Sequence, residues 1–326
     1  MRVETISGAH NWKLTYRLLP EGAEVLRAVT CDAAAALPGE AGGAPVIELG
    51  DHALAPDAPD PAGETLTIMG GPDNGVPWDN RALRALTLPA GLRRVGNYGL
   101  YGCSALKTLR LWDGVEFWGG GALMNCSGLD TLVIHDRGRG EETLAYFADE
   151  LSRELDATLL SPDGGALRLI FPEYTEIYEE NCPAHHFDYT IDGGGYGYHH
   201  CLRGRRLRPA EYDALWPAFL RQEHDPACAL RLACCRLRYP VGLTPEAEAA
   251  YLAELRGRTA EVVRYLAEQR ALEGLGALVR RLEPDRAELS AACAAARELG
   301  SAEALAPLLE EQHRRFSSGA ARTFDL

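Results

Sequence analysis

The stretch ALRALTLPAGLRRVGNYGLYGCS, Ala82 to Ser104, runs straight into ALKTLRLWDGVEFWGGGALMNCS, Ala105 to Ser127. The two align without a gap at a period of 23 residues: Leu83, Leu86, Leu88, Leu100, Cys103 and Ser104 are answered by Leu106, Leu109, Leu111, Leu123, Cys126 and Ser127. A third copy opens with Leu129, Leu132 and Ile134. Within each unit a Leu-x-Leu pair, Leu86 with Leu88 or Leu109 with Leu111, sets two alternate side chains on one face of a short strand. A turn follows at Pro89-Ala90-Gly91 or Asp113-Gly114, and a second apolar group returns through Val95 or Trp118 and then Leu100 or Leu123. One such coil cannot bury its own apolar face, so consecutive coils must stack and share a backbone ladder. The period therefore predicts a β-solenoid in which Leu86, Leu109 and Leu132 form one column, with Cys103 and Cys126 as small thiols in equivalent crowded turns.

The run LxxLxLPxxLxxVxxxxLxxC, from Leu83 to Cys103, resembles the BspA-like class (leucine-rich repeat type 5) of bacterial leucine-rich repeats. Trp112 departs from that pattern by replacing the turn proline. Weaker, degenerate units are expected upstream, where Pro45 to Leu54 reads as the second half of a unit and Leu66-Thr67-Ile68 as a strand. Trp12 to Arg17 and Ala23 to Thr30 read as a capping hairpin around Pro20-Glu21-Gly22. The Pro- and Asp-rich segment from Ala55 to Gly63 reads as a linker. The resemblance implies an interaction protein or an exported cell-surface adhesin. The adhesin alternative needs an export signal, and Met1 to Pro20, with His10, Asn11, Lys13 and Arg17 among its apolar positions, contains no apolar core of signal-peptide length.

Past Asp136-Arg137-Gly138-Arg139-Gly140 the spacing of Leu144, Phe147, Leu151 and Leu155 is helical, with Glu141 and Glu142 at the acidic start. Ala157 to Leu160 and Leu167 to Phe171 flank a Ser161-Pro162-Asp163-Gly164-Gly165 turn and read as a hairpin. From Arg208 onward the pattern is helical: Pro209, Pro226 and Thr244-Pro245-Glu246 each mark a helix start. Ala271 to Leu275 and Ser301 to Leu305 lie 30 residues apart, each between two short helices, with Leu278 and Val279 answered by Leu308 and Leu309. A helix pair at that period resembles ankyrin-type units, although the Thr-Pro-Leu-His signature is missing. The order of repeats, hairpin and helical tail is similar to that of proteins from gut Firmicutes. The expected fold class is α+β, a short N-terminal leucine-rich-repeat β-solenoid followed by a C-terminal α-helical repeat domain. The expected domains are residues 1–140 (clearest repeats 82–135), an α/β connecting region with hairpins at 141–207, and an ankyrin-like domain at 208–326.

A net charge of −14 across 326 residues, with a pI near 5.1, repels a polyanion and argues against nucleic acid as a partner. Arg203, Arg205, Arg206 and Arg208 read as a solvated surface cluster. No run of eighteen apolar residues is present, so no membrane span is expected, and the expected compartment is the cytoplasm. Nine cysteines, an odd number without regular spacing, read as reduced thiols.

One Cys/His set supplies the alternative reading of a structural zinc site: Cys182, His185, His200 and Cys201 offer the thiolate and imidazole ligands that tetrahedral zinc prefers. Against it, adjacent side chains on a strand point to opposite faces. The competing reading pairs Phe187 to Ile191 with Tyr196 to Cys201 as two strands joined by Asp192-Gly193-Gly194-Gly195. That glycine run is no phosphate cradle, since no Lys-Ser/Thr follows it and it is expected to open no helix. Adjacent Cys234 and Cys235 on a helix read as small buried hydrophobes. No Gly-x-Ser-x-Gly, His-Glu-x-x-His or paired-carboxylate motif is found, so the expectation is a non-enzymatic protein-binding scaffold with no cofactor. Trp78, Tyr98, Tyr101 and Trp112 are the expected partner contacts, because rigid aromatics dominate binding hot spots; Trp118 is assigned to the core.

Overall fold

A computed structural model describes residues 2–5, 10–70, 75–181, 186–202, 204, 206–222 and 224–316. It is mixed α/β, with strands concentrated in the N-terminal half and helices in the C-terminal half. Two compact units are present, Met1–Leu167 with Phe171–Leu207 and Arg168–Ile170 with Arg208–Leu326. Residues 141–207 therefore belong to the first unit apart from 168–170. Among the described residues no helix is long and apolar enough to cross a membrane.

The first unit begins with β1 (Arg2–Thr5), β2 (Trp12–Leu19) and β3 (Gly22–Thr30), and β2 and β3 form an antiparallel hairpin. Next come β4 (Ala34–Ala36), β5 (Glu40–Ala41), β6 (Ala44–Leu49), β7 (Glu64–Met69), β8 (Ala85–Thr87) and β9 (Arg94–Val95). They are followed by β10 (Thr108–Trp112), β11 (Phe117–Trp118) and β12 (Thr131–His135). Helix α1 (Gly140–Glu150) then leads to β13 (Leu155–Leu160), β14 (Ala166–Phe171), β15 (Thr175–Asn181), β16 (His186–Asp192) and a short α2 (Tyr196–His199).

One sheet has the order β4, β8, β10, β12, β13, β14. From β4 to β13 its neighbours are parallel and in register, at the 23-residue period from Leu86 through Leu109 to Leu132: Ala35, Leu86, Leu109, Leu132 and Ala157 are successive partners, as are Leu111, Ile134 and Leu159. The Leu86, Leu109 and Leu132 side chains are buried in one column, each burial stabilising by about 1.5–3 kcal/mol. The second sheet runs β1, β7, β2, β3, β6, β9, β11, and its last three strands are parallel, with Leu49, Val95 and Trp118 as partners. The ladder continues past β6 and β9, where His52 N donates to Asn97 O at 2.9 Å and Tyr98 N to Gly120 O at 3.0 Å. Asp51 Oδ1 accepts from Asn97 N at 2.7 Å and Asn97 Oδ1 from Gly120 N at 3.0 Å, a side-chain ladder repeated between coils.

Two expectations about this unit need correction. Leu66-Thr67-Ile68 is a strand, but β7 pairs with β1 and β2 and stands outside the repeats, because the chain leaves the coil after Ala55 and returns at Asn80. Buried Asn80 secures the return, its Nδ2 donating to Ala28 O at 2.8 Å and Leu54 O at 2.9 Å while its Oδ1 accepts from Thr30 N at 3.0 Å. Tyr196 to Cys201 is not a strand: Tyr196–His199 is helical, and β16 pairs antiparallel with β15 instead. The reason lies at Gly195, where a Cβ would collide with the Pro172 carbonyl, so the glycine run serves close backbone approach and opens a helix turn.

In the second unit, α3 (Pro209–Ala214), α4 (Trp216–Phe219), α5 (Pro226–Arg238), α6 (Pro245–Leu255), α7 (Thr259–Glu268), α8 (Leu275–Leu282), α9 (Arg286–Glu298) and α10 (Ala302–Phe316) follow in turn. Helices α3, α5 and α6 each carry Pro in the first turn, where the missing N–H costs nothing, and Thr244 caps α6 by accepting from Ala247 N at 3.3 Å. Helix α7 packs on α9, and α8 on α10. Leu278, Val279 and Leu308 are buried, whereas Leu309 is exposed. Inside the unit, buried Asp213 pairs in bidentate fashion with Arg236 at 2.8 and 2.9 Å and accepts from Tyr251 Oη at 2.8 Å.

Candidate functional site

Inward residues of β8, β10, β12 and β13 alternate with residues facing away from the core, since successive strand side chains point to opposite faces. The outward residues fall into rows set by the register. Ala85, Thr108, Thr131 and Asp156 form one row; Thr87, Arg110, Val133 and Thr158 the next; Trp112, His135 and Leu160 the third. The inner residues are buried, while these outward ones are half-exposed and Arg110 is exposed. The face carries short side chains and Asp156 in its first row, Arg110 in its second, and the aromatic Trp112 and His135 at its far end.

At that end the Trp112 and His135 rings stack with centroids 4.4 Å apart. The Arg137 guanidinium lies 6.0 Å from the Trp112 ring, within cation–π range, and its Nη1 donates to Ala90 O at 3.2 Å. Burial, reinforced by the nearby Arg110 and Arg137 charges, holds the His135 imidazole below its ordinary value, so the ring is neutral near pH 7.

The four aromatics expected to contact a partner fall in different surroundings. Tyr98 and Tyr101 come together, edge to face at 5.7 Å, and His52 stacks on Tyr98 at 5.0 Å, in the turns that follow β6 and β9. Trp112 lies on the outward face of the parallel sheet. Trp78 is half-buried with Lys13 Nζ 4.4 Å over its ring, lining a cavity of about 660 Å³ that also includes Arg27 and Asp60. Trp118 is half-buried, stacked on Tyr146 at 5.4 Å and edge-on to buried Phe147, where α1 covers the last coil.

Of the candidate zinc ligands, Cys182 and His185 lie outside the described residues. His200 Nδ1 is 2.8 Å from Tyr196 O, and the buried Cys201 thiol donates to Tyr198 O at 3.1 Å, so both engage their own helix turn. Among the described residues no group of three His, Cys, Asp or Glu side chains is arranged to hold a metal ion. Neighbouring His199 is fully buried, its two ring nitrogens 2.8 Å from Ala148 O and 3.0 Å from Pro172 O.

His135, Arg110 and Arg137 were not singled out from the sequence. For His135 the signal was present, since the 23-residue alignment carried one copy further sets it at the position of Trp112. The arginines carry no such signal, because Val133 takes the place of Arg110 in the third copy.

No family model and no curated protein matches the chain. Among solved structures, a leucine-rich repeat protein of T. pallidum is similar over 37% of this chain and 50% of its own, with 19% sequence identity and a TM-score of 0.25. The chain thus spans half of that protein, and a score of this size assigns no fold.

Proposed function

We propose that the protein is a non-enzymatic protein-binding module. In this reading a short leucine-rich-repeat solenoid of BspA-like kind precedes an ankyrin-like array of helix pairs, and the outward face of the parallel sheet receives a protein partner. The observation that carries the reading is the in-register sequence of outward rows across β8, β10, β12 and β13, ending in the Trp112 and His135 stack. A ladder of backbone bonds fixes the spacing of those rows before any partner arrives, so little backbone entropy remains to be lost on binding. Trp and Arg are the residue types that concentrate binding energy.

The test places a photo-cross-linking residue at Val133, between Arg110 and Thr158 in its row, in the full-length protein inside the source cell. A discrete adduct that disappears on Trp112→Ala, in a variant whose thermal melt is otherwise intact, is the expected outcome. Absence of an adduct, or adducts indifferent to Trp112, removes the support for this face.

A further inference from the structure

We propose that the occupant of this face is an acidic peptide segment of the partner, its carboxylates held by Arg110 and Arg137 and its backbone laid over Trp112 and His135. The inference rests on the protein-binding reading above and adds the chemistry of what binds. Among the described residues, Arg110 and Arg137 have no carboxylate within ion-pair distance, and both are exposed. In a chain of net charge −14, two cations left without a carboxylate beside a stacked aromatic pair make this part of the face locally cationic.

The nearby acids face backbone N–H groups and, among the described residues, form no ion pair with either arginine. Asp113 is buried and spends Oδ2 on the backbone N–H groups of Arg137 and Arg139, both at 2.7 Å. Asp136 spends Oδ1 on Gly138 N at 2.7 Å and Gly140 N at 2.9 Å. The outward acid Asp156 stands two rows away from Trp112 and His135. The neutral His135 ring adds apolar surface without adding a third cation to the cluster.

Complementary charge then selects carboxylates, and guanidinium forks bind them with defined geometry. An extended polyanion such as nucleic acid, or an anionic membrane surface, would meet the chain's overall negative field after the first contacts. A short acidic peptide covers the cationic end alone.

The experiment selects displayed random peptides of about a dozen residues on the intact protein, with an Arg110→Gln, Arg137→Gln double variant and Trp112→Ala as counter-selections. Thermal melts confirm that each variant is folded. The expected result is enrichment of Asp- and Glu-rich peptides. A synthetic copy should bind about tenfold more weakly to the double variant, and likewise when its acids become amides. Its affinity should also fall as salt rises. Neutral or basic peptides that still require Trp112 overturn the acidic inference and leave the protein-binding reading standing. A failure to enrich any Trp112-dependent peptide also overturns it, and the photo-cross-link at Val133 then decides separately whether the face binds protein at all. A mixed-sequence single-stranded oligonucleotide is titrated in parallel; tighter binding of this probe than of any peptide, lost in the double variant, assigns the site to nucleic acid instead.

Discussion

Cys103 and Cys126 perform the same task one coil apart. Each thiol donates to the carbonyl of an equivalent leucine in the preceding coil, Cys103 to Leu54 at 3.4 Å and Cys126 to Leu100 at 3.1 Å. Burial, with the mutual proximity of the two sulfurs, pushes Cys103 up to about 12, and burial pushes Cys126 to about 12 as well. The thiolate is the nucleophile, so at neutral pH both residues are chemically silent. Alkylation with iodoacetamide near neutral pH, followed by peptide mass spectrometry, should therefore leave Cys103 and Cys126 unmodified until denaturant unfolds the chain, with half-exposed Cys31 labelled first among the described cysteines. Labelling of Cys103 in the folded protein at a free-thiol rate would sink this account. The inward placement of the two cysteines was legible from the 23-residue alignment, but their carbonyl partners were not. Leu54 lies two 23-residue periods before Leu100, but the excursion through β7 fills the intervening period, so the adjacent-copy alignment does not mark it as the acceptor.

Among the elements, those with leucines were readable and those without were not. Strand β4 pairs with β8 at the edge of the parallel sheet, yet it reads Ala34-Ala35-Ala36, and three alanines carry no periodic signal to distinguish a strand from a linker. The half-unit from Pro45 to Leu54 was legible because Val46, Leu49 and Leu54 keep the apolar pattern. Two neighbouring glycines show why a glycine-rich stretch is tolerated in one unit. A Cβ on Gly119 would overlap the backbone of Gly96 and Asn97 in the coil before, whereas one on Gly120 finds only Asn97 Oδ1 at 3.8 Å. Gly119→Ala should accordingly force the coils apart and lower stability by about 1–3 kcal/mol or more, while Gly120→Ala should change it by no more than about 0.5 kcal/mol. Paired denaturant titrations read the difference, and equal effects would mean that coil spacing is not set at Gly119. In the same ladder Leu109 is fully buried between Leu86 and Leu132, so Leu109→Ala should cost about 2–5 kcal/mol through the cavity it leaves.

For the whole molecule, the sequence separated strands from helices and located the helix starts at proline, but the buried polar groups became visible only in three dimensions. His199 is one, since nothing in Tyr198-His199-His200 says which imidazole is enclosed. Burial depresses its value, against the partial opposing pull of the Ala148 and Pro172 carbonyls, and burial likewise depresses His135. Both therefore take a proton less readily in the folded chain than on unfolding, which frees each to titrate near its ordinary value of 6.5. Their contribution to stability is whole above that value and is lost as pH falls from there toward the depressed folded value. A second loss belongs to carboxylates held below their ordinary range: Glu311 by its Arg314 bond, Asp79 by the Arg81 N–H, and Asp136 and Asp225 by backbone N–H groups that outweigh burial. That contribution is complete above about pH 4.5 and declines below it. Thermal midpoints measured from about pH 8 down to about pH 3 should fall in two stages, the first beginning near the imidazole value and the second in the carboxylate range. His199→Gln, which keeps hydrogen-bond donors without a titrating ring, should flatten the first stage and leave the second in place. A single decline confined to the carboxylate range, in the parent and in this variant alike, would show that neither histidine gains a proton on unfolding.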